Sequence, residues 1–151
     1  MKYLITGAGP VGRVVARELA SRGHECLIMS RHATTINLGP RVQHITGDAT
    51  SKESYPANID GIAHCIHAAY NAEQWRKLLI PAEETALHIA AERTIPIVFP
   101  ESTYGFDPNR EEVSPTTPLT DSRHGKPGVR AQLIDARLAS RAHTVSVLSL
   151  I

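Results

Sequence analysis

The chain is short of several things, and each shortage narrows what it can be. It has two cysteines, Cys26 and Cys65, both inside apolar runs. That is too few for a disulfide scaffold, and the pair reads as small buried residues rather than a bridge. No apolar run approaches the roughly 20 residues that span a bilayer. Neither sign of charge is in excess: 16 Lys and Arg face 15 Asp and Glu. Such a balance leaves no electrostatic footprint for nucleic acid or an anionic membrane surface. The N-terminus enters a strand-like run without a signal-peptide pattern, and there are no repeats or low-complexity tracts. These absences predict an ordinary globular protein located in the cytoplasm. A chain of 151 residues has the size of one domain, able to bury roughly 68–70% of its unfolded surface.

What is present is an alternation of short apolar runs with longer helical stretches. Residues 2–6, 25–29, 42–46, 60–66, 95–99 and 144–151 read as six strands. Residues 11–20 read as a helix with Val11, Val14, Val15 and Leu19 on its inner face, and Gly23 as its terminating glycine. Pro81 is expected to open a second helix, at a position where its missing N–H costs nothing, with Leu87, Ala90 and Ala91 facing inward. Pro96 has to sit at the start of its strand. Residues 101–128 are rich in proline, glycine and asparagine and read as loop, and residues 129–142 as a final helix. Strands alternating with helices imply an α/β doubly wound parallel sheet, the Rossmann type, with strand order 3-2-1-4-5-6 and helices on both faces. The run ending at Ile151 stops without a turn or polar tail, which predicts a fragment of a longer protein: a dinucleotide-binding domain over 1–151 whose C-terminal substrate-binding region is absent.

The first strand leads into Gly7-Ala8-Gly9-Pro10-Val11-Gly12, which satisfies G-x-G-x-x-G. Its glycines supply a tight turn, close backbone approach to a pyrophosphate and close helix–strand packing. The helix N-terminus adds unpaired N–H groups and a favourable dipole. The motif alone is weak, but here it follows a strand, opens a helix and leads to a second strand, which is its confirming context. The alternative is a plain strand–helix turn. Where a carboxylate would bind the ribose hydroxyls, this chain has Ser30-Arg31-His32. Arg31 can instead pair with a 2′-phosphate and Ser30 can add a hydroxyl, which favours NADP(H) over NAD(H); the plain alternative is a solvated loop arginine. Asp48, before Ala49, could accept from an adenine amino group or could make an Asx turn.

After the fourth strand, small residues at Ala68 and Ala69 would let ribose and nicotinamide lie against backbone. His64, Cys65 and His67 invite a metal reading. On a strand, however, His64 and His67 would point to opposite faces, and there is no second ligand cluster, so no metal is expected. After the fifth strand, Ser102, Thr103 and Tyr104 stand at the crevice mouth as candidate catalytic groups, Tyr104 as an acid or hydrogen-bond donor. Each could equally belong to a structural turn.

With those segments in view, the whole chain resembles the N-terminal, cofactor-binding part of the extended and atypical short-chain dehydrogenase/reductase superfamily, the NAD-dependent epimerase/dehydratase group. The resemblance rests on Gly7 to Gly12, Gly47-Asp48-Ala49, His67-Ala68-Ala69-Tyr70, Glu101-Ser102-Thr103-Tyr104-Gly105 and the run 125–133. It implies a nicotinamide dinucleotide cofactor, which Ser30-Arg31 makes NADP with NAD as the alternative, and a small carbonyl or sugar-type substrate. It departs at one point. The family's usual Tyr-x-x-x-Lys pair is replaced by Lys126-x-x-x-Arg130, with no tyrosine after Tyr104. Arg130 could still touch ribose or phosphates, although a solvated cationic helix start is the simpler reading of both residues. Two functions follow: an NAD(P)-dependent oxidoreductase or epimerase-like enzyme, or a non-catalytic NAD(P)-binding or redox-sensing protein. A small-molecule substrate and a homodimer complete the expectations, with neither nucleic acid nor membrane as partner.

Overall fold

The central strands of this sheet are mostly apolar on both faces because both faces are covered. The structure is a computed structural model that describes residues 1–33, 37–109, 112–114, 116–140 and 145–148, the last four by backbone alone. Strands β1 (Lys2–Thr6), β2 (Glu25–Ser30), β3 (Val42–Thr46), β4 (Gly61–His64), β5 (Ile97–Pro100) and β6 (Val145–Leu148) lie in the order β3-β2-β1-β4-β5-β6. All pair in parallel; Leu4 stands beside Leu27 and Ile62, and Ile5 beside Ile28 and Ala63. Because side chains alternate along a strand, Leu4, Leu27, Met29 and Ile62 enter one core while Ile5, Cys26, Ile28 and Ala63 enter another. The order 3-2-1-4-5 expected of the Rossmann fold is present. Of the stretches expected to form the last helix and strand, 141–144 and 149–151 lie outside the described residues.

Helix α1 (Pro10–Ser21) covers the Ile5 face. Its inner face is the expected one in part: Val15 and Leu19 pack against the core, Val11 and Val14 do not. Gly12 and Ala16 are buried, Val15 and Leu19 half-buried, and Val11 and Val14 are 47% and 62% exposed. The cause is proximity: a Cβ on Gly12 would sit 1.9 Å from the Gly7 carbonyl oxygen, so only small residues can face the strand there. Gly23 follows the helix as expected, its N–H bonded to Ala20 O.

Helix α2 runs Ala72–Arg93, and Pro81 lies inside it rather than at its start. The start is set by Asn71, whose Oδ1 accepts from the amides of Glu73 and Gln74 at 2.9 and 3.2 Å. A proline in mid-helix forfeits one backbone bond. Tertiary packing outweighs that loss, because Trp75 and Leu79 on one side of Pro81 and Ala82, Ala86 and Leu87 on the other are all buried. Ala91, expected inward, is exposed. Helix α3 (Gly125–Ala139) begins four residues before the expected 129. Pro127 falls in its first turn, where no intrahelical N–H partner is needed. The α2 and α3 helices meet through Trp75, Leu79, Val129 and Leu133. No helix among the described residues is long and apolar enough to cross a membrane.

Candidate cofactor site

The sheet reverses its winding between β1 and β4, and the loops leaving their carboxyl ends define a crevice, the usual ligand position in this fold. An open cleft of about 570 Å³ occupies it, within the range of small-molecule sites. Gly7, Gly9, Pro10 and Val11 form its floor, Ser30, Arg31, Asp48 and Ala49 one wall, and His67 the other. Eight of the expected cofactor residues are thus brought together. Gly12 supports the site from beneath. Ala68, Ala69 and Arg130 are not on the cleft wall. Arg13, on the exposed side of α1, lines the cleft although the sequence reading passed over it. Its Nε donates to Ala8 O at 2.8 Å, which holds the guanidinium beside the glycine turn.

The glycines fit a phosphate group. Gly7 has φ +100°, and a Cβ there would lie 2.7 Å from Cys65 O; the left-handed conformation and the close approach both require glycine. Around Gly9 nothing lies within 4 Å of a notional Cβ, so the backbone there faces open space. The first-turn amides of Val11 and Gly12 have no acceptor among the described residues, as expected of helix N-termini that receive anions.

On the second wall, one of the two alternatives for Asp48 is seen directly. Asp48 makes the Asx turn: its Oδ1 accepts from the amide and hydroxyl of Thr50, each at 2.9 Å. Those two bonds, with a smaller contribution from the Arg31 charge, hold the carboxyl below its ordinary range. Ser30 Oγ donates to His32 O at 2.9 Å and lies 2.8 Å from His44 Nε2. A hydroxyl has one proton and a carbonyl only accepts, so His44 Nε2 carries the hydrogen in this pair. Ser30 therefore has no free donor for a phosphate. Arg31 is exposed and has no hydrogen bond or ion pair among the described residues.

Beneath the cleft, His64 is buried and its Nδ1 lies 2.9 Å from Thr6 Oγ1. Burial, then the charges of Arg137 and Arg130, push its pKa down to about 3, so the ring is neutral at pH 7. The Cys65 thiol is pushed up to about 12 by burial, and both cysteines are free. Among the described residues no group of three His, Cys, Asp or Glu could hold a metal.

The loop after β5 is fixed by a buried ionic network that sequence reasoning missed. Arg137 on α3 pairs with both oxygens of Glu83 on α2 and with Glu101 at the end of β5. Glu101 Oε1 accepts from the Ser102 amide at 2.7 Å and faces Arg130 Nη1 at 3.5 Å. Glu83, Glu101 and Arg137 side chains are 4% exposed or less. Arg130 is not a solvated helix residue: its guanidinium stacks on Trp75, 4.9 Å from the ring centre, and its side chain is 11% exposed. Arg130 Nε and Trp75 Nε1 are buried without an acceptor among the described residues. The one sequence signal for this network was two acids and two arginines within segments that otherwise read as apolar helix or strand end.

Ser102 is half-buried, and its Oγ lies 3.4 Å from Glu101 Oε1. Thr103 and Tyr104 occupy a single 3-10 turn, Thr103–Gly105, and are exposed. Tyr104 does not pack on the sheet. Its hydroxyl is hydrogen-bonded to that of Tyr70, and its ring meets Trp75 edge-on. Lys126 Nζ lies 2.8 Å from the centre of the Tyr70 ring and 5.9 Å from that of Tyr104.

Against this geometry, a family model described as an FAD binding domain matches residues 1–49, the stretch that holds β1, the glycine turn, α1, β2 and β3. Curated proteins give no match to the sequence. Solved structures match along nearly all of the chain. UDP-glucose 4-epimerase from Bifidobacterium longum, solved with NAD+ and UDP, is 18% identical with a TM-score of 0.76, over 99% of this chain and 52% of the epimerase. UDP-N-acetylglucosamine 4-epimerase from Bacillus cereus is 15% identical, TM-score 0.73, over 97% of this chain and 51% of its own. dTDP-glucose 4,6-dehydratase from Bacillus anthracis, solved with NAD, is 17% identical, TM-score 0.71, over 97% and 53%. At these identities the likeness is one of fold, and the chain spans about half the length of each of these structures.

Proposed function

We propose that this chain is the nucleotide-binding part of an NAD(P)-dependent oxidoreductase or epimerase/dehydratase-like enzyme acting on a small carbonyl or sugar-type substrate. The single observation that carries the reading is the cleft at the β1–β4 reversal, floored by Gly7 to Val11 with open space over Gly9. Solved structures of the same fold, an epimerase and a dehydratase among them, hold NAD. The match to an FAD binding domain covers only the segment that receives the ADP portion, which NAD(P) and FAD share. In this reading Val11 and Gly12 amides and the Arg13 guanidinium hold the diphosphate, and Ala49 packs against adenine. The nicotinamide supplies hydride transfer when bound. Ser102, Thr103 and Tyr104 hydrogen-bond and polarise the substrate oxygen.

Arg31 carries the preference for NADP(H). It is an exposed cation on the cleft wall with no hydrogen bond or ion pair among the described residues, its charge felt only by Asp48 across the wall, and no carboxylate stands at the end of β2. The serine beside it contributes by fixing His32 rather than by donating to phosphate. A homodimer in the cytoplasm belongs to the same reading.

The absence of a tyrosine at position 126 favours a second reading, a non-catalytic NAD(P)-binding or redox-sensing protein. NADPH oxidation over a panel of aldehydes, ketones and nucleotide sugars separates the two. Turnover with any of them supports the enzyme; none, in a chain that binds NADPH, supports the sensor.

A further inference from the structure

Three side chains remote in sequence meet beside the cleft. Tyr70 leaves the loop after β4, Tyr104 the loop after β5, and Lys126 the first turn of α3. Tyr70 is 60% and Tyr104 43% exposed, so the cluster is open to a small molecule. Two bulky phenols and an ammonium held together at a surface add little to the core beneath them, which Trp75, Leu79, Val129 and Leu133 already form. His67, three residues before Tyr70, lines the cleft and stacks on Trp75 with ring centres 5.3 Å apart. Tyr70 and Tyr104 meet the same Trp75 ring edge-on, so a single side chain separates the phenol pair from the cleft-lining His67.

We propose that Tyr70, Tyr104 and Lys126 form a proton-transfer site, in which the Tyr70 phenol, hydrogen-bonded to Tyr104 and covered by the Lys126 ammonium, exchanges a proton with the oxygen of a bound carbonyl or alcohol. For its substrate this inference rests on the reading above; the phenol chemistry itself does not. The two hydroxyls are chemically identical, and their surroundings push them apart. The hydrogen bond from Tyr104, then Lys126, favours the Tyr70 phenolate, while Tyr104 is pushed up by the same hydrogen bond. Titratable twins with separated affinities are the usual mark of an acid–base pair. The charged and titratable groups facing Tyr70 are Tyr104, Lys126 and, around the Trp75 ring, His67 and Arg130.

The step balances within the cluster. The Tyr70 O–H bond breaks as an O–H bond forms on the substrate oxygen. The Tyr104 proton then moves along the phenol–phenol hydrogen bond to Tyr70, and water returns a proton to Tyr104. Lys126 remains protonated throughout, its charge stabilising the transient phenolate. In the opposite direction the same steps take a proton from an alcohol. No electrons are exchanged in this step.

The test is a spectrophotometric titration of tyrosinate in the purified chain, alongside calorimetric titration with NADPH and NADH. The expected result is one of the four tyrosines ionising below the ordinary phenol pKa of about 10. Tyr70→Phe removes that early phenol, Lys126→Met and Tyr104→Phe move it up, and Tyr55→Phe leaves it in place. Circular dichroism confirms that each variant is folded. All phenols titrating at or above the ordinary value, in a chain that still binds a dinucleotide, overturns the proton site and leaves the reading above intact. An early phenol in a chain that binds neither dinucleotide does the reverse. In turnover, Tyr70→Phe lowers kcat by about 10²–10⁴-fold with dinucleotide affinity unchanged; an unchanged kcat overturns the assignment.

Discussion

Arg137 on α3 grips Glu83 on α2 through two N–H···O bonds of 2.5 and 2.7 Å, and neither side chain is more than 4% exposed. The same guanidinium also reaches Glu101 at the end of β5, so one arginine ties two helices to the strand end that carries Ser102 to Tyr104. Removing it leaves Glu83 buried without its cation and Glu101 with only Arg130 and the Ser102 amide. Arg137→Ala is expected to cost about 3–5 kcal/mol of stability. Denaturant unfolding measures it, and a loss below about 1 kcal/mol would mean the network is held open to water.

The glycine turn separates stability from binding. Gly12→Ala places a Cβ 1.9 Å from the Gly7 carbonyl oxygen, backbone against backbone. Overpacking of that kind is expected to cost about 3 kcal/mol or more. Gly9→Ala meets nothing within 4 Å and should change stability by no more than about 0.5 kcal/mol. Its methyl enters the space assigned to the diphosphate, so dinucleotide affinity should fall about tenfold or more, equivalent to about 1.4 kcal/mol. Equal effects of the two substitutions on unfolding would contradict this division.

How far the sequence led can be judged at these positions. The glycine turn was legible because its spacing encodes a local steric requirement. The α1 face was misread in part for the same reason. Val15 and Leu19 pack inward as their spacing suggests, but the close approach at Gly12 puts Gly12 and Ala16 at the centre of the face and turns Val11 and Val14 out, and that distance is a tertiary fact. Pro81 misled because proline favours a helix's first turn, whereas the Asn71 cap sets the start and packing of Trp75 and Leu79 carries the helix through the proline. The Tyr70–Lys126 contact joins a loop residue and the first turn of α3, which only the sheet order brings together. No local pattern could have shown it.

Arg31 tests the nucleotide preference. Arg31→Ala should weaken NADPH at least about tenfold, a loss of about 1.4 kcal/mol, and leave NADH nearly unchanged, because only the 2′-phosphate loses a charged partner. Calorimetry on both proteins reads this directly. Equal affinities for NADPH and NADH, unaffected by the substitution, would remove the assignment.

His64 gives the chain a defined acid sensitivity. Its folded pKa of about 3 lies below an ordinary histidine's roughly 6.5. The unfolded chain therefore binds the proton first on acidification. The contribution of this ring to stability is complete above about pH 6.5 and is lost as pH falls toward 3, at about 1.4 kcal/mol per unit. Thermal unfolding of the chain and of His64→Gln between pH 7 and 5 checks it. The parent should lose stability more steeply than the variant, and parallel curves would refute the account.

The central claim is that the crevice over Gly9 receives a nicotinamide dinucleotide. Side-by-side calorimetric titration of the chain with NADPH, NADH and FAD tests it most directly, with Gly9→Ala as control. The account predicts saturable one-to-one binding, tightest for NADPH, weaker for NADH, absent for FAD and weakened in the variant. Binding of FAD alone, or of NADPH with equal affinity in the variant, would contradict it.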